Sequence, residues 1–148
     1  MKQSKIQVHK TSKFYRISDI RRIKVWLERV AALEKLVINS ISYAFVSDEE
    51  LLEMNQKVLK HNYYTDIITF SLSDSAEIEG DIYISYDRIK ENATVFHVKR
   101  LDEIKRIMVH GLLHLCGYND KTKPEKERMT QKEDTYLKLY NKMFHVEH

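Results

Sequence analysis

VHGLLHLCGYND, residues 109–120, places two histidines four residues apart on an apolar run, with a glycine three residues after the second and a carboxylate at the end. On a helix, His110 and His114 are separated by about 40° of rotation once a full turn is removed, so both imidazoles leave the same face one turn apart. That geometry suits two ligands of one tetrahedral ion. Leu112, Leu113 and Leu115 fill the remaining surface, which predicts a largely buried helix. Gly117 stands where a helix stops and a positive φ is wanted, and a stop there lets the chain turn back and carry residue 119 or 120 toward the histidines. The competing reading is a pair of core histidines bonded to backbone carbonyls beside a turn. Cys116, two residues past His114, points to roughly the opposite face and reads as packing.

Outward from this segment, the periodicity predicts an α+β chain. SDIRRIKVWLERVAALEK (18–35) is an amphipathic helix with Ser18 as its expected N-cap, and VINSISYAFV (37–46) alternates like a strand. SDEELLEMNQKVLKHN (47–62) opens with Ser47 and Glu50 in capping-box spacing. TDIITFSL (65–72) and GDIYIS (80–85) read as two further strands, joined by a polar turn. Residues 86–97 and 100–116 read as helices, and Pro124 begins a last helix that takes in 129–143. Strands and helices do not alternate as simple βαβ units, so the expectation is a small mixed sheet packed with helices.

At 148 residues, with three glycines, one proline, no repeat and no low-complexity stretch, the chain reads as a single domain over 1–148. No apolar run is long enough to span a bilayer, and MKQSKIQVHK carries no signal-peptide core, so a cytoplasmic protein without a membrane partner is expected. One cysteine excludes an internal disulfide and fits a reducing compartment. The net charge of +3 permits a polyanionic partner without demanding one. Its basic residues are scattered in small groups, such as Lys105 and Arg106 or Lys121, Lys123 and Lys126, and read as solvated helix faces. Nothing in the pattern sets an oligomeric state.

HGLLHLCGYND resembles the His-Gly-x-x-His-Leu-x-Gly-Tyr-Asp-His signature of the YbeY family of endoribonucleases. TDIITF is similar to that family's Thr-Asp-Val-Leu-Ser-Phe strand and GDIYIS to its Gly-Asp-Ile-x-Ile-Ser strand. Asn55 matches the asparagine of its Leu-Asn pair, and Met129 with Glu133 echoes a late Met-x-x-x-Glu spacing. The likeness implies a zincin-like, metalloprotease-related fold. It also implies zinc-dependent cleavage of single-stranded RNA, in maturation of the 16S rRNA 3′ end and in ribosome quality control, with the small ribosomal subunit as a partner. Carried over by position, His110 and His114 become zinc ligands, and Asp120 stands where the third histidine is expected.

Two departures qualify the likeness. An aspartate in place of a histidine lowers the formal charge of a zinc site from about +2 to +1. That should weaken its Lewis acidity and make it more tolerant of Mn²⁺ or another harder ion. The family arginine four residues after the asparagine falls on Leu59; Lys60 beside it could meet a phosphate, but without the guanidinium fork. Gly111 replaces the glutamate of a His-Glu-x-x-His peptidase, which argues against peptide hydrolysis. Asp66 is the nearest candidate base, with a strand-end hydrogen bond to backbone as its ordinary alternative, and Thr65 reads as strand-start chemistry. Tyr118 and Phe70 could stack on bases or simply pack, and the C-terminal HVEH offers His145 and His148. The alternative function is a ribosome- or RNA-binding maturation factor with a structural metal and little nuclease activity.

Overall fold

The computed structural model of the chain describes residues 5–10, 17–61, 65–73 and 77–146. In order, β1 spans Ile6–Lys10, α1 Ile20–Leu33, β2 Val37–Val46, α2 Asp48–Val58, β3 Ile67–Ser71, β4 Glu77–Ser85, α3 Tyr86–Val95, α4 Arg100–Leu115 and α5 Lys123–Met143. The four strands form one mixed sheet in the order β1-β2-β4-β3. β1, β2 and β4 run parallel, and β3 closes the edge antiparallel to β4. The α+β expectation therefore holds.

Register decides which face is buried. Ile41, Tyr43 and Phe45 of β2 stand opposite Gly80, Ile82 and Ile84 of β4, and the non-glycine members of that set are no more than 1% exposed. Alternate residues such as Ser42 and Asp81 face the other way, as a two-residue period requires. α4 lies on the buried face, where a Cβ added at Gly111 would meet Ile82 Cγ2 at 3.0 Å and Ile67 Cδ1 at 3.1 Å. The glycine between the histidines thus lets the helix backbone approach the sheet, and Tyr43 Oη donates to the Met108 carbonyl at 2.8 Å to hold it there. α1 and α5 complete the core: Trp26, fully buried, donates Nε1–H to the Tyr136 carbonyl at 2.7 Å and meets Tyr140 edge-on.

Local signals account for most boundaries. Ser47 caps α2 by accepting from the Glu50 amide, and Thr122 caps α5 through a reciprocal capping box with Glu125, one position ahead of Lys123 and Pro124. α1 differs from expectation: Asp19, not Ser18, is its N-cap, and neither a side-chain cap nor a first-turn acid supports it. β4 begins at Glu77, earlier than Gly80, because its added residues pair with Val37 and Ile38 of β2. β1 escaped the pattern reading: it has one fully buried residue, Ile6, and edge strands carry weak alternation. The polar turn between β3 and β4 includes residues outside those described, as does Asn62. Among the described residues, no helix is long and apolar enough to cross a membrane.

Candidate metal centre

The helix stop works as its sequence suggests. Gly117 takes φ +104°, its amide bonds the His114 carbonyl at 3.0 Å, and the chain reverses so that Asp120 returns to the histidine face. His110 Nε2 and His114 Nε2 lie 3.0 Å apart, and Asp120 Oδ2 is 3.3 Å from each. Ligands at the ~2.0–2.1 Å of zinc occupy tetrahedral corners about 3.3 Å apart. The three atoms have that spacing before any ion is considered, and they form the one group among the described residues with metal-ligand proximity.

The other ring nitrogens show what these three atoms lack. His110 Nδ1 bonds Glu133 Oε2 at 2.6 Å, and His114 Nδ1 bonds the Tyr118 carbonyl at 2.9 Å. A carboxylate and a carbonyl are acceptors only, so each Nδ1 carries the proton and donates it. With both imidazoles neutral, the two Nε2 lone pairs and an Asp120 oxygen face one another with no donor among them. Such a cluster is stable only around a positive charge, and the donor set fits a borderline divalent ion. Burial opposes protonation of His110, but the hydrogen bond and charge of Glu133, followed by the charges of Asp120 and Asp66, outweigh it and raise its pKa. The same field that draws a proton draws a cation.

Glu133 is held in turn. Arg106 Nη1 donates to its Oε1 at 2.8 Å while Arg106 Nη2 reaches Asp134 at 2.6 Å, so the α5 carboxylate bridges two side chains of α4, the Arg106 guanidinium and the His110 imidazole. Glu133 is 7% exposed, and this chain of carboxylate, imidazole and ligand atom is the usual means of fixing a histidine's tautomer and orientation. The sequence offered Glu133 only as part of a spacing, and Arg106 only as one of several scattered cations. The signal for Glu133 was a carboxylate at a buried position on an otherwise apolar helix face.

His110, Asp120, Arg106 and Glu133 open onto a cleft of about 710 Å³, whose lining also includes Asp66, Phe96, Glu103, Lys126 and Thr130. Asp66 bonds its own backbone as strand-end chemistry predicts, but it also faces this cleft. Burial raises its pKa against the pull of His110. Thr65 donates to the Ile67 carbonyl at 3.2 Å and plays the strand-start part. Lys60 is exposed at φ 57° beyond α2 and lies outside the cleft lining, as does Leu59. Phe70 packs edge-on against Tyr83, and Tyr118 turns its ring away from the cleft, donating its hydroxyl to Glu34 at 2.6 Å. Cys116 lies on that same far side, its thiol pushed up to about 12 by burial and then by Glu34, so it is neither a ready ligand nor a nucleophile. His145 is exposed past the end of α5, and His148 lies outside the described residues.

Comparison with known proteins gives one consistent result. The family model described as Endoribonuclease YbeY matches residues 3–141. A protein named Endoribonuclease YbeY from Cytophaga hutchinsonii is 49% identical over 140 residues, which cover 94% of this chain and 98% of that protein. Its namesake from Flavobacterium psychrophilum is 46% identical over 116 residues, covering 78% and 83%. Among solved structures, the solution structure of TM1509 from Thermotoga maritima superposes with a TM-score of 0.66 at 26% identity, covering 95% of this chain and 91% of that one.

Proposed function

The chain belongs to the Endoribonuclease YbeY family, and on that premise we propose that it is a divalent-metal-dependent endoribonuclease of single-stranded RNA. Zinc is the proposed resident ion, with Mn²⁺ as a competent replacement. The proposed substrate is ribosomal RNA, at the 3′ end of the 16S species, and the proposed setting is the cytoplasm, in maturation and quality control of the small ribosomal subunit. The observation that carries the reading is the convergence of three acceptor atoms 3.0–3.3 Å apart, both histidines having already spent their Nδ1 protons elsewhere.

His110, His114 and Asp120 would hold the ion, which when bound supplies a Lewis acid for phosphodiester chemistry. Glu133 and the Tyr118 carbonyl keep both imidazoles in the ligating tautomer. Asp66, raised in pKa by burial and lining the same cleft, is the group placed to take or return a proton at its carboxyl during hydrolysis. Lys126, exposed on the cleft wall, is a donor for a phosphate oxygen. Lys60, outside the lining, is left with a contact to RNA that has already left the cleft.

The test uses the full chain, with metal content measured by elemental analysis alongside cleavage of single-stranded and duplex RNA and of a peptide substrate. The expected result is about one divalent ion per chain, cleavage confined to single-stranded RNA, and loss of both ion and cleavage in a folded His114→Ala variant. Wild-type cleavage by that folded, metal-free variant would overturn the metalloenzyme reading. Intact RNA with the metal-loaded wild type, together with metal-dependent association with small ribosomal subunits, would make the protein a binding factor instead.

A further inference from the structure

The turn between α3 and α4 leaves every side chain from Thr94 to Arg100 exposed: TVFHVKR, with two valines and two cations around Phe96. Phe96 is 63% exposed, with Val95 at 60% and Val98 at 43%. A solvent-facing Phe contributes little to the core, yet the backbone beneath it is firmly held. The Phe96 amide bonds the Asn92 carbonyl at 2.9 Å, His97 bonds Thr94 at 3.3 Å, Val98 bonds Ala93 at 3.0 Å, and His97 takes the left-handed φ of 54° that turns the chain. The ring is therefore displayed from a pinned turn. It also lines the cleft that contains His110, Asp120, Asp66 and Lys126.

We infer that Phe96 is the stacking platform for a nucleobase beside the scissile phosphate, and that it sets affinity for unpaired RNA without reading its sequence. The inference rests on the nuclease reading above and adds the residue that recognises single strands. An aromatic face accepts any base once that base is unstacked, and cations beside it follow the phosphates; this is how single-stranded nucleic acid is held without sequence preference. Lys126 on the cleft wall, with Lys99 and Arg100 directly after the turn, supplies those cations. A base inside a duplex offers no free face, so the platform also accounts for discrimination against paired RNA. Rigidity of the turn lowers the ordering cost of binding. Phe70 and Tyr118, the aromatics singled out from the sequence, are occupied elsewhere.

The experiment compares metal-loaded wild type, Phe96→Ala, Phe96→Leu and Phe96→Tyr on single-stranded RNA of about ten nucleotides, and on the same RNA with an abasic residue next to the cleaved bond. Val25→Ala, an exposed apolar change on α1, is the control. Phe96→Ala is expected to raise KM about tenfold with kcat, metal content and thermal unfolding near wild type. Phe96→Tyr should restore KM and Phe96→Leu should not. The abasic RNA should penalise wild type and leave Phe96→Ala unaffected. Unchanged KM in Phe96→Ala, or rescue by leucine equal to that by tyrosine, would overturn stacking. So would a defect confined to intact ribosomal subunits, which would make the turn a protein-docking surface. Should wild type fail to cleave RNA at all, the nuclease reading falls separately. Quenching of the indole in Phe96→Trp by the same oligonucleotide, against the buried Trp26 background, would still decide whether a base stacks there.

Discussion

Two polar clusters flank the loop that follows α4, and Tyr118 belongs to both. On one side its carbonyl holds His114 and the loop delivers Asp120 to the histidines. On the other its hydroxyl donates to Glu34, which also accepts from Tyr136 Oη and from Lys132 Nζ at 3.2 Å. The Glu34 cluster is complete: one carboxylate, three donors, and the Lys132 ammonium over the faces of both tyrosines. The histidine cluster is incomplete, because acceptors face acceptors. Both are partly buried and both contain charge, yet only in the histidine cluster do acceptor atoms of neutral side chains and a carboxylate converge on one point. A buried polar group without a partner is costly, so the mismatch supports the proposed cation site, whereas the satisfied cluster needs nothing beyond the chain.

The contrast can be broken most severely at the proposed ligands. His110→Ala or His114→Ala should abolish stoichiometric metal and lower RNA cleavage by more than about a hundredfold, beyond the range seen when only a ligand's hydrogen-bond partner is lost. Circular dichroism should still show the native secondary structure; retained metal would show that the two sides are not different in kind. Next comes Glu133→Gln, which keeps the shape but weakens the acceptor for His110 Nδ1. Metal affinity should fall about 10- to 100-fold, read by competition with a chelating dye.

On the satisfied side the effects should move to stability. Tyr118→Phe removes one donor from Glu34 and should cost about 1–2 kcal/mol in chemical denaturation, with metal affinity changed less than by Glu133→Gln. The pH dependence gives a finer test. Burial works to raise the Glu34 carboxyl, but its hydrogen bonds from Tyr118, Tyr136 and Lys132, together with the Lys132 charge, hold the pKa below its ordinary 4.5. A depressed carboxylate stabilises the fold fully above the unfolded pKa and loses that contribution as pH falls through the folded value. The stability gap between wild type and Glu34→Gln should therefore be constant near neutrality and narrow below pH 4.5. A gap that widened on acidification would reverse the assignment. The smallest effect belongs to Cys116→Ala, which should leave metal content unchanged, since the thiol lies beside Glu34 and away from the histidines.

How much of this was legible in advance follows from how far apart the partners lie in the chain. The two histidines and the stop at Gly117 are encoded within eight residues, because helical rotation and a positive φ are local properties. β2 is exact at both ends for the same reason: ten residues of alternation leave little choice. β1 was missed because five residues at a sheet edge, with one buried side chain, carry almost no period. Glu133, 23 residues from His110, could be noticed as a spacing but given no contact. Phe96 gave no signal at all, since an exposed aromatic acquires meaning only from the cleft it borders.

By itself, then, the sequence determined the helices, the α+β class, the shared face of His110 and His114, and the glycine that turns the chain back toward them. Only the tertiary structure decided that both Nδ1 protons are committed, that Asp120 completes a triangle of acceptors, and that Asp66, Lys126 and Phe96 border the same opening. Dihedral preference and hydrophobic period act between neighbours along the chain. Proton positions and cleft walls depend on which distant elements pack together, and those contacts are made by burial of a common core.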